Sequence, residues 1–216
     1  MSGNDWFYPI IDVDACGARG VCPREHADRC LQSAPKWMQL RAKFGRDEDH
    51  LDLALDLAQR CAAAGTLFVV NDRGKLARAA RARAVHLGQH DGLASEAEES
   101  TVPLPFGRST HSLAELSEAL KTPCAYVAFG PIFPTNSKQN AQPAVGLERL
   151  RAAHVMTTER GVPLIAIGGI DGGNMASVRG HCEAVALIAA LLPAVGEDAG
   201  EPFRRLGLAG AAHTFT

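Results

Sequence analysis

The chain lacks most of the features by which a short sequence announces a specialised class. No apolar run approaches the roughly 20 residues of a membrane helix, so no membrane span is expected. The opening residues MSGNDWFYPI have neither the basic nor the apolar region of a secretory signal, and a cytoplasmic setting is expected. Net charge is only −2, which gives no general pull on nucleic acid or an acidic membrane surface. An anionic ligand would need a local cluster of donors. The six cysteines contain no Cys-x-x-Cys pair, so reduced thiols are expected. Cys16, Cys22, His26 and Cys30 lie close in sequence, but their spacing matches no usual zinc site. There is also no G-x-G-x-x-G after an early strand, which counts against an open dinucleotide-binding sheet.

What is present is a rhythm. Short apolar, β-prone runs recur at 8–11, 37–40, 67–70, 84–87, 104–106, 125–129, 163–167 and 184–187. Helical patterns fill the gaps. The clearest is 48–64, with Leu51, Leu55, Ala58 and Ala62 on one face and Gly65 as a stop. Residues 112–120 open with Ser112 followed three positions later by Glu115, a capping box. Helices are also expected at 146–153 and 174–179, and a final one near 201–208, in the tail after about residue 194. The helical pattern is poor over 12–34 and 92–103. Eight strand–helix repeats in 216 residues predict one domain spanning 1–216, a compact (β/α)8 TIM barrel with a parallel eight-stranded sheet.

In such a barrel the residues just past each strand share one mouth, where ligands bind. Gln39, Arg41 and Lys43 alternate after the second strand and are expected on one side. Asn71 and Asp72 follow the third strand, and Asp91 follows the fourth. Either aspartate alone reads as a helix N-cap, but on adjacent strand ends the pair reads as ligands for one divalent cation. Arg41, Lys43 and Lys138 supply positive charge fit for a diphosphate, although a single such lysine could be a solvated rim. The stretch AYVAFGPIFPTNSK (125–138) carries an apolar strand into a stiff polar loop. Gly168-Gly169 permits close backbone approach of a phosphate after strand seven. His86 falls in a strand pattern and reads as structural, while His111 reads equally as an acid/base or as a locally satisfied helix-start residue.

With these residues assembled, the chain resembles thiamine-phosphate synthase and its relatives, a superfamily of (β/α)8 barrels. The matching stretches are QLRAK (39–43), VNDR (70–73), HLGQHD (86–91), GRSTHS (107–112), YVAFGPIFPTNSK (126–138), PLIAIGGI (163–170) and AVALIAAL (184–191), in the family's order. The resemblance implies a transferase that joins a hydroxymethylpyrimidine diphosphate to a thiazole phosphate and releases pyrophosphate. It implies that Asp72 and Asp91 bind Mg²⁺ and that Arg41, Lys43, Asn71 and Lys138 hold the diphosphate. Gln39 and Ser109 would face the pyrimidine or diphosphate. Gly169, Ile188 and Ala189 would offer backbone N–H groups to the thiazole phosphate, with Thr135 and Ser137 lining its loop. Lys138, Ser109 and Arg41 are the residues expected to carry catalysis. Three features depart from the family pattern: Ala189 replaces a usual serine, His90 a usual acid, and the first βα unit matches poorly. A thiazole tautomerase-like isomerase using His111 and a non-catalytic ligand-binding homologue are the alternatives. The expected partners are phosphorylated small molecules, with no nucleic acid and no membrane; self-association into a homo-oligomer is left open.

Overall fold

Alternation along each strand sorts the side chains into two cores, one inside a barrel and one outside it. The computed structural model describes residues 5–88, 104–135 and 143–208. Its strands are β1 (Phe7–Asp12), β2 (Trp37–Arg41), β3 (Leu67–Asn71), β4 (Ala84–Leu87), β5 (Phe106–Thr110), β6 (Tyr126–Phe129), β7 (Leu164–Ile167) and β8 (Ala184–Leu187). Each pairs in parallel with the next, and β1 pairs with β8, so the barrel closes in sequence order. Closure leaves no sheet edge exposed.

Inward positions include Tyr8, Ile10, Val69, Tyr126, Ala128 and Ile165, which form the lumen core. Small residues on the later strands make room for two tyrosine rings. Gly107 is there for the same reason, since a Cβ on it would lie 2.1 Å from Tyr126 Cζ. The outward positions, among them Phe7, Ile11, Met38, Leu40 and Phe68, pack against the helices. Leu57, Leu116 and Leu150 come from three of those helices and are fully buried; each contributes about 2–3 kcal/mol by leaving water.

The helices are α1 (Val13–Ala18), α2 (Pro23–Leu31), α3 (Asp47–Ala64), α4 (Gly74–Ala79), α5 (Leu113–Ala119), α6 (Gly146–Arg160), α7 (Met175–Val178) and α8 (Glu201–Arg205), with a 3₁₀ turn at Ala189–Leu191. None is long and apolar enough to cross a membrane. The stretch 12–34, poor in helical pattern, nevertheless holds α1 and α2. Asp12 caps the first by accepting the Ala15 N–H (2.9 Å), and Pro23 starts the second. Residues 92–103 lie outside the described residues.

Three expectations need correction. The fifth strand starts at Phe106 and continues through Gly107, Arg108, Ser109 and Thr110, rather than occupying 104–106. Its polar side chains alternate: Ser109 points inward to His86, Arg108 lies outward over the Phe106 ring, and Thr110 Oγ1 donates to Ala128 O. The buried face of α3 is Ala54, Leu57 and Cys61, whereas Leu55 and Ala62 are exposed. Apolar residues crowd so much of this helix that the pattern does not fix its rotation; packing against the barrel does. Helix α6 extends to Arg160, seven residues past the expected end, and stops at left-handed Gly161.

Candidate active site

A column of polar side chains rises through the lumen. Gln39 Nε2 donates to Tyr8 Oη (2.9 Å), and Tyr8 Oη lies 2.9 Å from Tyr126 Oη. Tyr126 Oη meets His86 Nδ1 at 3.0 Å, and His86 Nε2 meets Ser109 Oγ at 2.9 Å. The His86 and Tyr126 rings stack with centroids 5.5 Å apart. Burial pushes both phenols well above their usual range, so they remain neutral hydrogen-bonding groups. His86 is therefore more than a strand residue: it joins the barrel core to Ser109, which faces the mouth. The sequence does not reveal this link, because the members of the column lie on five different strands.

The β2–β3 side of the mouth is charged. Arg41 Nη1 pairs with Asp12 Oδ2, and the other oxygen of that nearly buried carboxylate caps α1. Gln39 and Arg41 do share the lumen side, but β2 ends at Arg41, so the alternation does not reach Lys43. That residue lies in the following loop, exposed, with its Nζ 5.9 Å from the Phe44 ring centroid. Asn71 ends β3 beside His86 of β4. Asp72 follows with φ +59, a left-handed conformation that aspartate tolerates better than most residues. It is exposed and is not a helix cap, because α4 is capped at Arg73. Arg73, which the sequence reading left without a role, reaches back to bind the β2–α3 loop.

The β5–β8 side holds a cavity of about 380 Å³, lined by Ser109, Thr135, Gly169, Ile188, Ala189 and their neighbours. Gly168 (φ +96) and Gly169 (φ +67) shape its wall. A Cβ on Gly169 would lie 2.6 Å from the carbonyl oxygens of both Phe133 and Pro134. The β6 and β7 loops interlock there: Ile132 N–H donates to Ile167 O (3.0 Å), and Phe133 N–H donates to Gly168 O (3.0 Å). His111 also lines the cavity, its Nδ1 3.4 Å from Glu115 Oε2. Glu115 supports a cap of a different kind from the one expected. Ser112 accepts the Glu115 N–H, but the Glu115 carboxylate takes the His111 N–H (2.5 Å).

Asp91, Ser137 and Lys138 lie outside the described residues. Among the described residues no three of His, Cys, Asp and Glu gather into a metal-sized group. Cys16 and Cys30 are buried, Cys22 is exposed before α2, and His26 Nε2 lies 4.0 Å from Cys30 Sγ. Burial pushes the Cys16 and Cys61 thiols up to about 12, leaving them unreactive.

The family model for thiamine monophosphate synthase matches residues 7–191. A thiamine-phosphate synthase of Prochlorococcus marinus subsp. pastoris is 35% identical over 176 residues, 79% of this chain and 49% of that protein. One from Koribacter versatilis is 39% identical over 189 residues, covering 86% of this chain and 88% of that protein. The chain thus spans about half the length of the cyanobacterial relatives it matches and most of the length of the other. Among solved structures, a thiamine phosphate pyrophosphorylase from Pyrococcus furiosus superposes with a TM-score of 0.78 at 27% identity, covering 96% of this chain and 98% of that one. A 3-hexulose-6-phosphate synthase, at 13% identity and a TM-score of 0.59, shares the fold. The chain belongs to the thiamine monophosphate synthase family.

Proposed function

We propose that this chain condenses 4-amino-2-methyl-5-hydroxymethylpyrimidine diphosphate with thiazole phosphate, giving thiamine phosphate and pyrophosphate. The carrying observation is that the mouth has two chemically different sides. Arg41, Lys43, Asn71 and Asp72 form a charged edge on β2–β3, and an apolar-walled cavity with a Gly-Gly turn lies on β5–β8. One suits a diphosphate, the other a thiazole with a compact phosphate.

In this reading the C–O bond to the diphosphate breaks first, and the thiazole nitrogen captures the pyrimidine cation. No protein nucleophile or base is required, so the residues act through charge and position. Arg41, Lys43, Asn71 and Lys138 hold the diphosphate, and Gln39 and Ser109 face the pyrimidine. Gly169, Ile188 and Ala189 meet the thiazole phosphate by backbone N–H, with Thr135 and Ser137 beside them. Ala189 supplies no hydroxyl, so the backbone has to serve there. Asp72 fits a hard cation: it is an exposed oxygen donor at the mouth with no helix to cap. Asp72 and Asp91 would hold Mg²⁺, which when bound offsets the charge of the departing diphosphate. The proposed partners are two anionic small molecules in the cytoplasm.

His111 beside Glu115 in the same cavity favours a second reading, a thiazole tautomerase-like isomerase with His111 as acid/base. Purified protein incubated with both phosphorylated substrates and Mg²⁺ separates the two. The transferase releases pyrophosphate and thiamine phosphate in equal amounts, whereas an isomerase releases neither.

A further inference from the structure

Arg73 spends four of the five N–H donors of its guanidinium on one short loop and the helix that follows it. Nε donates to Ala42 O (2.8 Å), and Nη2 donates to Phe44 O (3.0 Å) and Gly45 O (2.8 Å). Nη1 donates to Asp47 Oδ1 (2.7 Å), at the first residue of α3. The guanidinium is mostly buried, and its charge is answered by Asp47. It is therefore committed to the loop rather than to a ligand. The loop it grips carries Lys43, while Arg73 itself directly follows Asp72 at the start of α4. One side chain thus ties the segment bearing the exposed cation to the strand end bearing the exposed carboxylate.

We propose that Arg73 is a positioning residue for the transferase reaction: it fixes the 42–46 loop so that Lys43 is held at the diphosphate beside Asp72. The proposal rests on the functional reading above. A planar fork meeting three carbonyls and a carboxylate is a task lysine cannot copy, because an ammonium offers a point charge with three donors. A loop freed by even about 1 Å can cost up to 100-fold in rate.

The test uses wild type, Arg73→Lys, Lys43→Ala and the double variant. Hydrogen exchange reads the loop without any substrate: amides of 42–46 should exchange about tenfold faster in Arg73→Lys, with those of β3 unchanged. In steady state, KM for the pyrimidine diphosphate should rise about tenfold while that for the thiazole phosphate stays within about twofold. In the Lys43→Ala background, Arg73→Lys should cost less than about twofold more. If Arg73→Lys does not fold, Asp47→Ala removes one of the four bonds and should shift the same readouts in the same direction by about threefold. With an active wild type, unchanged loop exchange overturns the positioning role. So do an equal loss for both substrates and an undiminished cost in the Lys43→Ala background. A wild type with no transferase activity overturns the functional reading and the positioning role together, which the active-wild-type outcomes do not.

Discussion

Asp12 holds Arg41 with one carboxylate oxygen and caps α1 with the other. The pair spans β1 and β2 at the mouth, and the Asp12 side chain is only 5% exposed. One residue at the end of the first strand thus orients the Arg41 cation and starts the helix that follows.

Asp12→Asn therefore leaves the partly buried Arg41 cation without its counter-charge while keeping the shape of the cap. Breaking a buried pair costs about 3–5 kcal/mol, and Arg41 is exposed enough to recover part of that from water. A loss of about 2 kcal/mol is expected, lowering Tm by roughly 4–8 °C for a chain of this size. KM for the pyrimidine diphosphate should rise more than KM for the thiazole phosphate. Calorimetry and steady-state kinetics on the same preparation check both.

Acid should weaken the fold through His26. Burial, and secondarily the Arg29 cation, lower its pKa from 6.5 to about 4. The folded chain keeps this imidazole neutral against Phe203, while the unfolded chain takes up a proton below pH 6.5. Stability is then fully present above pH 6.5 and is lost as pH falls towards 4, by roughly 3 kcal/mol in all. Urea unfolding across pH 4–7 should show a slope that His26→Phe flattens. An unchanged slope in the variant would place the acid sensitivity elsewhere.

Gly169→Ala should fail at the cavity wall. The residue sits at φ +67, and the new methyl would meet two backbone carbonyls at 2.6 Å. Backbone cannot step aside as a flexible side chain would, so the β6 and β7 loops must separate. A loss of about 2–3 kcal/mol in stability is expected, together with weaker binding of thiazole phosphate, readable by titration calorimetry.

Tyr126→Phe keeps the ring that fills the space over Gly107 and deletes the hydroxyl between Tyr8 and His86. Removing this buried link should cost about 1–3 kcal/mol. Turnover should fall about tenfold because the His86–Ser109 contact loses its support. Retained turnover with lowered stability would confine the column to a structural role.

The barrel was legible because both faces of a parallel strand are buried: runs such as Leu67–Asn71 and Ala184–Leu187 are apolar and short, and Gly or polar residues punctuate them. The fifth strand was not, because Arg108, Ser109 and Thr110 look like loop until their ladder partners on β4 and β6 are known. Lys43 was assigned by extending an alternation that stops with the strand at Arg41. The sequence placed Gln39, Arg41, Asn71 and Asp72 near the strand ends: Arg41 and Asn71 do end β2 and β3 and Asp72 follows, whereas Gln39 lies two residues earlier, buried against Tyr8. The sequence could not show Arg73 gripping Ala42, Phe44 and Gly45, since a side chain bound to distant backbone leaves no local pattern. The Tyr8–Tyr126–His86 column was hidden for the same reason, its members lying up to 118 positions apart.

On the proposed reading, charge at the β2–β3 edge, and not an imidazole, carries the chemistry. Thiamine phosphate formation by wild type, Asp91→Ala and His111→Ala, each with both substrates and Mg²⁺, tests it most directly. Wild type should form product, Asp91→Ala essentially none, and His111→Ala should keep substantial activity. The reverse ranking, or no product from wild type even at high enzyme concentration, would contradict that reading.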